Sequence, residues 1–152
     1  MQDTESGQNL KNKKPNNFVE GFTTSKGLML DLDNTSLKET KSIAEHYCKR
    51  FKLHGYLILR SSPNNFHVVF NRYLTWKKTT EYLAKIQWRH MYHRHGDKPH
   101  LIFWITLQLC KGSETLRISS KKHKHKPHVV LFYGKTDKLI NDYLQYYDIG
   151  EK

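Results

Sequence analysis

The stretch Gly27–Glu39, GLMLDLDNTSLKE, decides how the rest of the chain is read. Its first seven residues alternate. Leu28, Leu30 and Leu32 fall on one side of an extended backbone; Met29, Asp31 and Asp33 fall on the other, the period-2 pattern of a strand. Ser36 and Glu39 then stand three apart ahead of an apolar-periodic segment, the spacing of a helical capping box. A hydrophobic strand thus ends in two carboxylates and turns into a helix. The helix is expected to run to about Phe51, with Ile43, Tyr47 and Phe51 facing inward.

Outward from there, Gly55–Arg60 (GYLILR) and Phe66–Phe70 (FHVVF) read as strands joined by the turn-forming Ser61–Asn65 (SSPNN), a hairpin. Thr75 can cap a helix reaching Arg89, with Trp76, Leu83 and Ile86 as its apolar stripe. His100–Cys110 (HLIFWITLQLC) is apolar enough to be buried. Its length favours a helix ended by Gly112, while its β-branched content leaves a strand open. Glu114–Ser119 (ETLRIS) and His128–Tyr133 (HVVLFY) read as a second hairpin around the charged Lys121–Pro127 (KKHKHKP). Thr136 caps a last helix ending near Tyr147. The order β-α-β-β-α-α-β-β-α implies an α+β domain, a mainly antiparallel sheet with helices packed against it. Residues 1–17 carry almost no apolar side chain to offset ordering entropy, so they read as a disordered polar tail. Residues 18–152 then form one domain.

Charge narrows the partner. The chain carries 26 Lys and Arg against 14 Asp and Glu, a net +12. Between His46 and Thr136 there are 18 basic residues and three acids, Glu81, Asp97 and Glu114, so the excess is concentrated there. A concentrated basic surface attracts polyanions, nucleic acid above all. No apolar run is long enough to span a membrane, and the N-terminus lacks the apolar core of a secretory signal. Two cysteines make no disulfide framework. An intracellular location, in the cytoplasm of a cell or of a virus's host, is expected.

Within that basic chain the acidic pair stands out. Asp31 and Asp33 lie on one strand face, their Cα atoms about 6–7 Å apart by strand rise. Like charges so placed repel unless a cation sits between them or one is protonated. A divalent ion such as Mg²⁺ or Mn²⁺ suits carboxylate, water and phosphate oxygens. The plainer alternative is that Asp33 only begins the turn into the helix. The Arg60–His67 turn offers hydroxyls and backbone N–H groups that can cradle phosphate, beside His67; its plainer alternative is an ordinary hairpin.

Taken together, the strand ending in DxD (Leu28–Asp33) and the later Ser61-Ser62-Pro63-Asn64-Asn65-Phe66-His67 resemble two motifs of the archaeo-eukaryotic primase, or primase-polymerase, superfamily, as a small plasmid- or virus-type member. The resemblance covers about Leu28 to Phe70. It implies an RRM-like catalytic core and a metal-dependent nucleotidyltransferase of nucleic-acid replication. It implies Asp31 and Asp33 as metal-binding acids, with Asp97 preferred over Glu114 as the third. His67 would contact the triphosphate, with Arg60, Ser61 and Ser62 beside it. Leu116-Arg117-Ile118-Ser119 followed by Lys121 is similar to a late basic stretch of some members, which would add Arg117 and Lys121 to the phosphate contacts. Lys122, Lys124 and Lys126 would meet nucleic acid, most simply a single-stranded template, and nucleoside triphosphates would be substrates. The glycines usual in the second motif are Pro63, Asn64 and Asn65 here; Asn65 could adopt the left-handed conformation a glycine supplies. The chain is short for the family, with no fused helicase and no zinc-binding stem, and a helicase partner is left unknown.

Two other readings remain. Tyr143 and Tyr147 have the Y-x-x-x-Y spacing of rolling-circle initiator endonucleases, which use a tyrosine nucleophile and a metal-binding His-hydrophobe-His strand. The H-x-H pairs here, His93/His95 and His123/His125, enclose basic residues instead. Packing of a terminal helix explains the tyrosines equally. A non-catalytic DNA- or RNA-binding protein would account for the charge alone. The His90, His93, His95 and His100 cluster lacks the cysteine spacing of a structural zinc site.

Overall fold

The computed structural model describes residues 20–92, 98–120, 125–135 and 138–149. The elements are β1 (Gly21–Thr24), β2 (Met29–Leu32), α1 (Leu37–Arg50), β3 (Gly55–Ser62), β4 (Asn65–Phe70), α2 (Trp76–Tyr92), α3 (Pro99–Lys111), β5 (Glu114–Arg117), β6 (His128–Gly134) and α4 (Lys138–Ile149). The fold is α+β, with antiparallel pairing throughout. Four strands form a central sheet in the order β2-β4-β3-β6, and β1 and β5 form a separate two-stranded ribbon. The expected tail, residues 1–17, lies outside the described residues.

Local signals account for the elements. Ser36 Oγ accepts from Glu39 N at 3.1 Å and caps α1. The other half of the expected capping box is replaced: the Glu39 carboxylate lies 3.0 Å from Lys98 Nζ. Thr75 Oγ1 accepts from Lys78 N at the start of α2. The ambiguous His100–Cys110 segment is helical. Pro99 opens it, where a missing N–H costs nothing, and Gly112 closes it at φ 84°.

Two expectations about strands are corrected. A strand precedes β2: Gly21–Thr24 pairs with β5, placing Phe22 opposite Leu116. The second hairpin does not form, because β5 joins β1 while β6 joins β3 at the edge of the central sheet. Alternation marks a strand but not its partner, and the long connector after β5 imposes no hairpin register.

Both faces of the central sheet are covered over β2, β4 and β3, so these strands carry near-continuous apolar runs, whereas the edge strand β6 is half-buried to exposed. Leu28, Leu30, Leu32, Ile58, Phe66, Val68 and Phe70 pack one face under α1, α2 and α3, against residues such as Ala44, Leu83, Ile86 and Ile105. Met29, Leu57, Leu59 and Val69 pack the other face against Phe22, Leu116 and Ile118 of the ribbon side and Leu139, Ile140 and Tyr143 of α4. Among the described residues no helix is long and apolar enough to cross a membrane.

Candidate functional site

On the face shared with the ribbon and α4, the apolar layer is interrupted by Asp31 and His67. The register makes them direct cross-strand partners, Asp31 of β2 opposite His67 of β4. His67 Nε2 is 3.5 Å from Asp31 Oδ1, with the His67 side chain 5% exposed and that of Asp31 28% exposed. Leu59 flanks His67 on its other side. Asp31 is thus an acid at the margin of the core, partly open to solvent, beside an imidazole that is not.

Arg117, one residue past Leu116 on β5, reaches the same end of the sheet. Its guanidinium donates to the Ser61 carbonyl at 2.9 Å, to the His125 carbonyl at 3.0 Å and to the Ser119 carbonyl. Burial lowers its pKa from the ordinary value, while the negative charge of Asp31 acts in the opposite direction. Asp31, His67, Arg117 and the Ser61 backbone therefore converge from β2, β4, β5 and β3, the first three being residues 31, 67 and 117 of the chain.

The turn between β3 and β4 is locked to the loop after β2. Ser62 pairs with Asn65, leaving Pro63 and Asn64 as the two central residues, with Asn64 at φ 60°. Proline followed by a left-handed residue is type II turn chemistry. The left-handed role therefore falls to Asn64, and Asn65 is a strand residue. Asn65 Nδ2 donates to Ser62 Oγ, and Asn65 Oδ1 accepts from Asn34 N at 2.9 Å. The Asn64 carbonyl accepts from Thr35 N at 2.7 Å. The two motifs, thirty residues apart, form one hydrogen-bonded unit.

Of the other expected site residues, Asp33 stays near Asp31, two residues on, while Arg60 and Lys126 are placed elsewhere. Asp33 lies past the end of β2 and lines a cavity of about 240 Å³ with Asn34, Lys98, Pro99 and His100. Arg60 is paired with Phe66 and its guanidinium lies 5.4 Å from that ring, which belongs to the helix-covered face rather than the face of His67. Arg60 and His67 therefore lie on opposite faces of the sheet. Lys126 donates to the Tyr147 carbonyl at 2.9 Å and sits 4.0 Å over the Tyr147 ring, so it serves the last turn of α4. Asp97, Lys121, Lys122 and Lys124 lie outside the described residues, as do His93, His95, His123 and the Thr136 cap. His90 is buried, its Nε2 2.9 Å from the Tyr47 hydroxyl. Tyr143 is fully buried, stacked near Tyr147 and edge-on to Phe22, and burial pushes its hydroxyl pKa upward. A phenol enclosed in this way is not presented to a DNA backbone.

Lys98 was not assigned from the sequence, and Glu114 entered only as the less favoured third acid. Lys98 is buried, and its ammonium donates to Thr35 Oγ1 at 3.0 Å as well as meeting Glu39, so it ties α3 to the loop that carries Asp33. A lysine outside any periodic pattern gives no local signal of burial. Glu114 is fully buried and its Oε2 accepts from Met29 N at 2.7 Å, two residues from Asp31. Its signal was present: in ETLRIS, Glu114 alternates in phase with the buried Leu116 and Ile118.

Among the described residues no group of three His, Cys, Asp or Glu is close enough to hold a metal ion. The donors available are the carboxylates of Asp31 and Asp33. Two carboxylates fit Mg²⁺ or Mn²⁺ where substrate phosphates and waters supply the remaining oxygens, the usual manner for Mg²⁺. Comparison of the chain with protein-family models, with curated proteins and with solved structures finds no match.

Proposed function

We propose that this chain is a metal-dependent nucleotidyltransferase of the primase-polymerase kind, acting on nucleic acid in replication. The observation that carries the reading is the register of β2 against β4. It sets the acid of the DxD strand directly opposite the histidine of the SS-x-x-x-F-H turn, 3.5 Å apart, at one open end of the sheet. A strand pair aligned by hydrophobic pattern alone need not bring these two polar residues together on a covered face, where an unmatched polar group is costly.

In this reading Asp31 and Asp33 hold Mg²⁺ or Mn²⁺ that arrives with the nucleotide. Bound there, such an ion would supply charge neutralisation at the phosphates and would lower the pKa of the attacking hydroxyl. His67 donates toward a phosphate oxygen, and its ring is held by the buried β4 position. Arg117 adds fixed positive charge, its direction set by the Ser61 and His125 carbonyls. The docked Pro63–Asn64 turn keeps the two motif loops at a constant separation, which is what positioning of a triphosphate requires.

The test is template-directed incorporation of labelled nucleotides on a primed and an unprimed single strand, with Mg²⁺, with Mn²⁺ and with chelator. Metal-dependent product from the parent protein, lost in Asp31→Asn with DNA binding retained, is the expected result. No product under any of these conditions, or full product from the Asn variant, overturns the proposal. Salt-sensitive binding without product would leave a non-catalytic nucleic-acid-binding protein.

A further inference from the structure

At the far end of the central sheet, β3 and β6 meet with no room between their backbones. Gly134, at φ 94°, lies where an added Cβ would fall 2.2 Å from the His54 carbonyl oxygen; one on Gly55 would fall 2.1 Å from that of Tyr133. This close approach seats Tyr133 beside Tyr56, ring centroids 5.5 Å apart. Tyr56 is buried, whereas Tyr133 is 61% exposed. Next to that ring is an open groove of about 760 Å³. Buried Cys48, Leu53 and Tyr56 line it, and exposed Lys49, Lys52 and Lys135 bring three ammonium groups to it.

Among the described residues no carboxylate pairs with Lys49, Lys52 or Lys135. Among the described wall residues the acid is Glu45, which meets Lys41 at 3.9 Å and the Tyr56 hydroxyl at 3.4 Å. Lys52 follows the α1 C-cap at φ 53°, a left-handed position that favours glycine. The chain carries a cation there at a conformational cost.

We infer that this groove binds a segment of single-stranded nucleic acid, with a base stacked on Tyr133 and the neighbouring phosphates on Lys49, Lys52 and Lys135. An aromatic platform beside a basic track is the combination that holds single strands, because every base offers a π-face and every linkage a charge. The groove lies at the opposite end of β3 from the Asp31–His67 pair, about 13 Å along the strand from Gly55 to Leu59 by strand rise. Its occupancy does not depend on the chain being a nucleotidyltransferase, since the readout is binding.

The experiment is fluorescence anisotropy of a labelled thymidine oligonucleotide with the whole chain, across a salt series. Tyr133→Ala is expected to weaken binding about fivefold or more. The triple variant Lys49→Ala, Lys52→Ala, Lys135→Ala is expected to flatten the log–log salt slope by about 2. A control triple elsewhere, Lys26→Ala, Lys38→Ala, Lys77→Ala, should retain most of the slope. Lys52→Gly separates binding from folding: it should hold or raise the urea midpoint while weakening the oligonucleotide. An iodouracil-substituted strand should photo-crosslink to Tyr133. Equal losses in both triples, no loss in Tyr133→Ala, a crosslink elsewhere, or unweakened binding in Lys52→Gly overturns the inference. So does inorganic polyphosphate or a single nucleotide binding as tightly as the strand.

Discussion

Replacing Glu114 with Gln probes how the edge of β2 is held beside Asp31. The Glu114 side chain is fully buried; Oε2 accepts from Met29 N, and Oε1 has no hydrogen-bond partner among the described residues. Burial pushes its pKa well above the ordinary 4.5, outweighing the opposing pulls of the Met29 amide and the Lys111 ammonium. The folded protein therefore keeps a proton that the unfolded chain releases near pH 4.5. The associated stability is fully present below that pH and declines as pH rises toward the folded-state pKa. By linkage, one such proton makes stability fall by about 1.4 kcal/mol per pH unit inside that window. The Gln side chain has nearly the same volume, keeps an acceptor for Met29 N and does not titrate. Its stability relative to the parent should accordingly climb as pH rises above the unfolded-state pKa, by up to about 1.4 kcal/mol per unit, and level off once the folded-state pKa is passed. Urea unfolding at pH 5, 6 and 7 measures this, and the difference between the two proteins removes groups common to both. A difference that stays flat across the range refutes the assignment of a buried, protonated Glu114.

Two further outcomes follow from the geometry. The Tyr143 hydroxyl is buried with no hydrogen-bond partner among the described residues, so Tyr143→Phe should leave stability unchanged or raise it by up to about 1 kcal/mol in urea unfolding. The same variant should leave any DNA processing intact, whereas a tyrosine nucleophile at this position would lose strand cleavage outright. Ser36→Ala removes the side-chain acceptor for Glu39 N and should lower stability by about 1 kcal/mol, read as a shift in urea midpoint with an unchanged m-value.

Much of the candidate site was legible because its two motifs are local. The DxD strand, the Ser36 cap and the Pro63–Asn64 turn each rest on a few adjacent residues with strong backbone preferences. What could not be read was side-chain direction near the irregular end of β3. There the register shifts between Arg60 and Ser62, and Arg60 lies over Phe66 on the far face from His67. The partners of Lys98 were hidden for a different reason. Thr35 and Glu39 lie about sixty residues away, and no periodicity announces a contact of that range.

Alternation, capping residues and turn chemistry were sufficient for the α+β class and for two carboxylates at a strand end, because each depends on the conformations of neighbouring residues; for His100–Cys110 they favoured a helix and left a strand open. Strand partners were another matter. The separation of β5 from β6, the pairing of β5 with Gly21–Thr24 and the placement of Asp31 against His67 depend on how two apolar faces are covered at once. Burial is shared among elements distant in the chain, so it can select one pairing among several that local preferences leave equal.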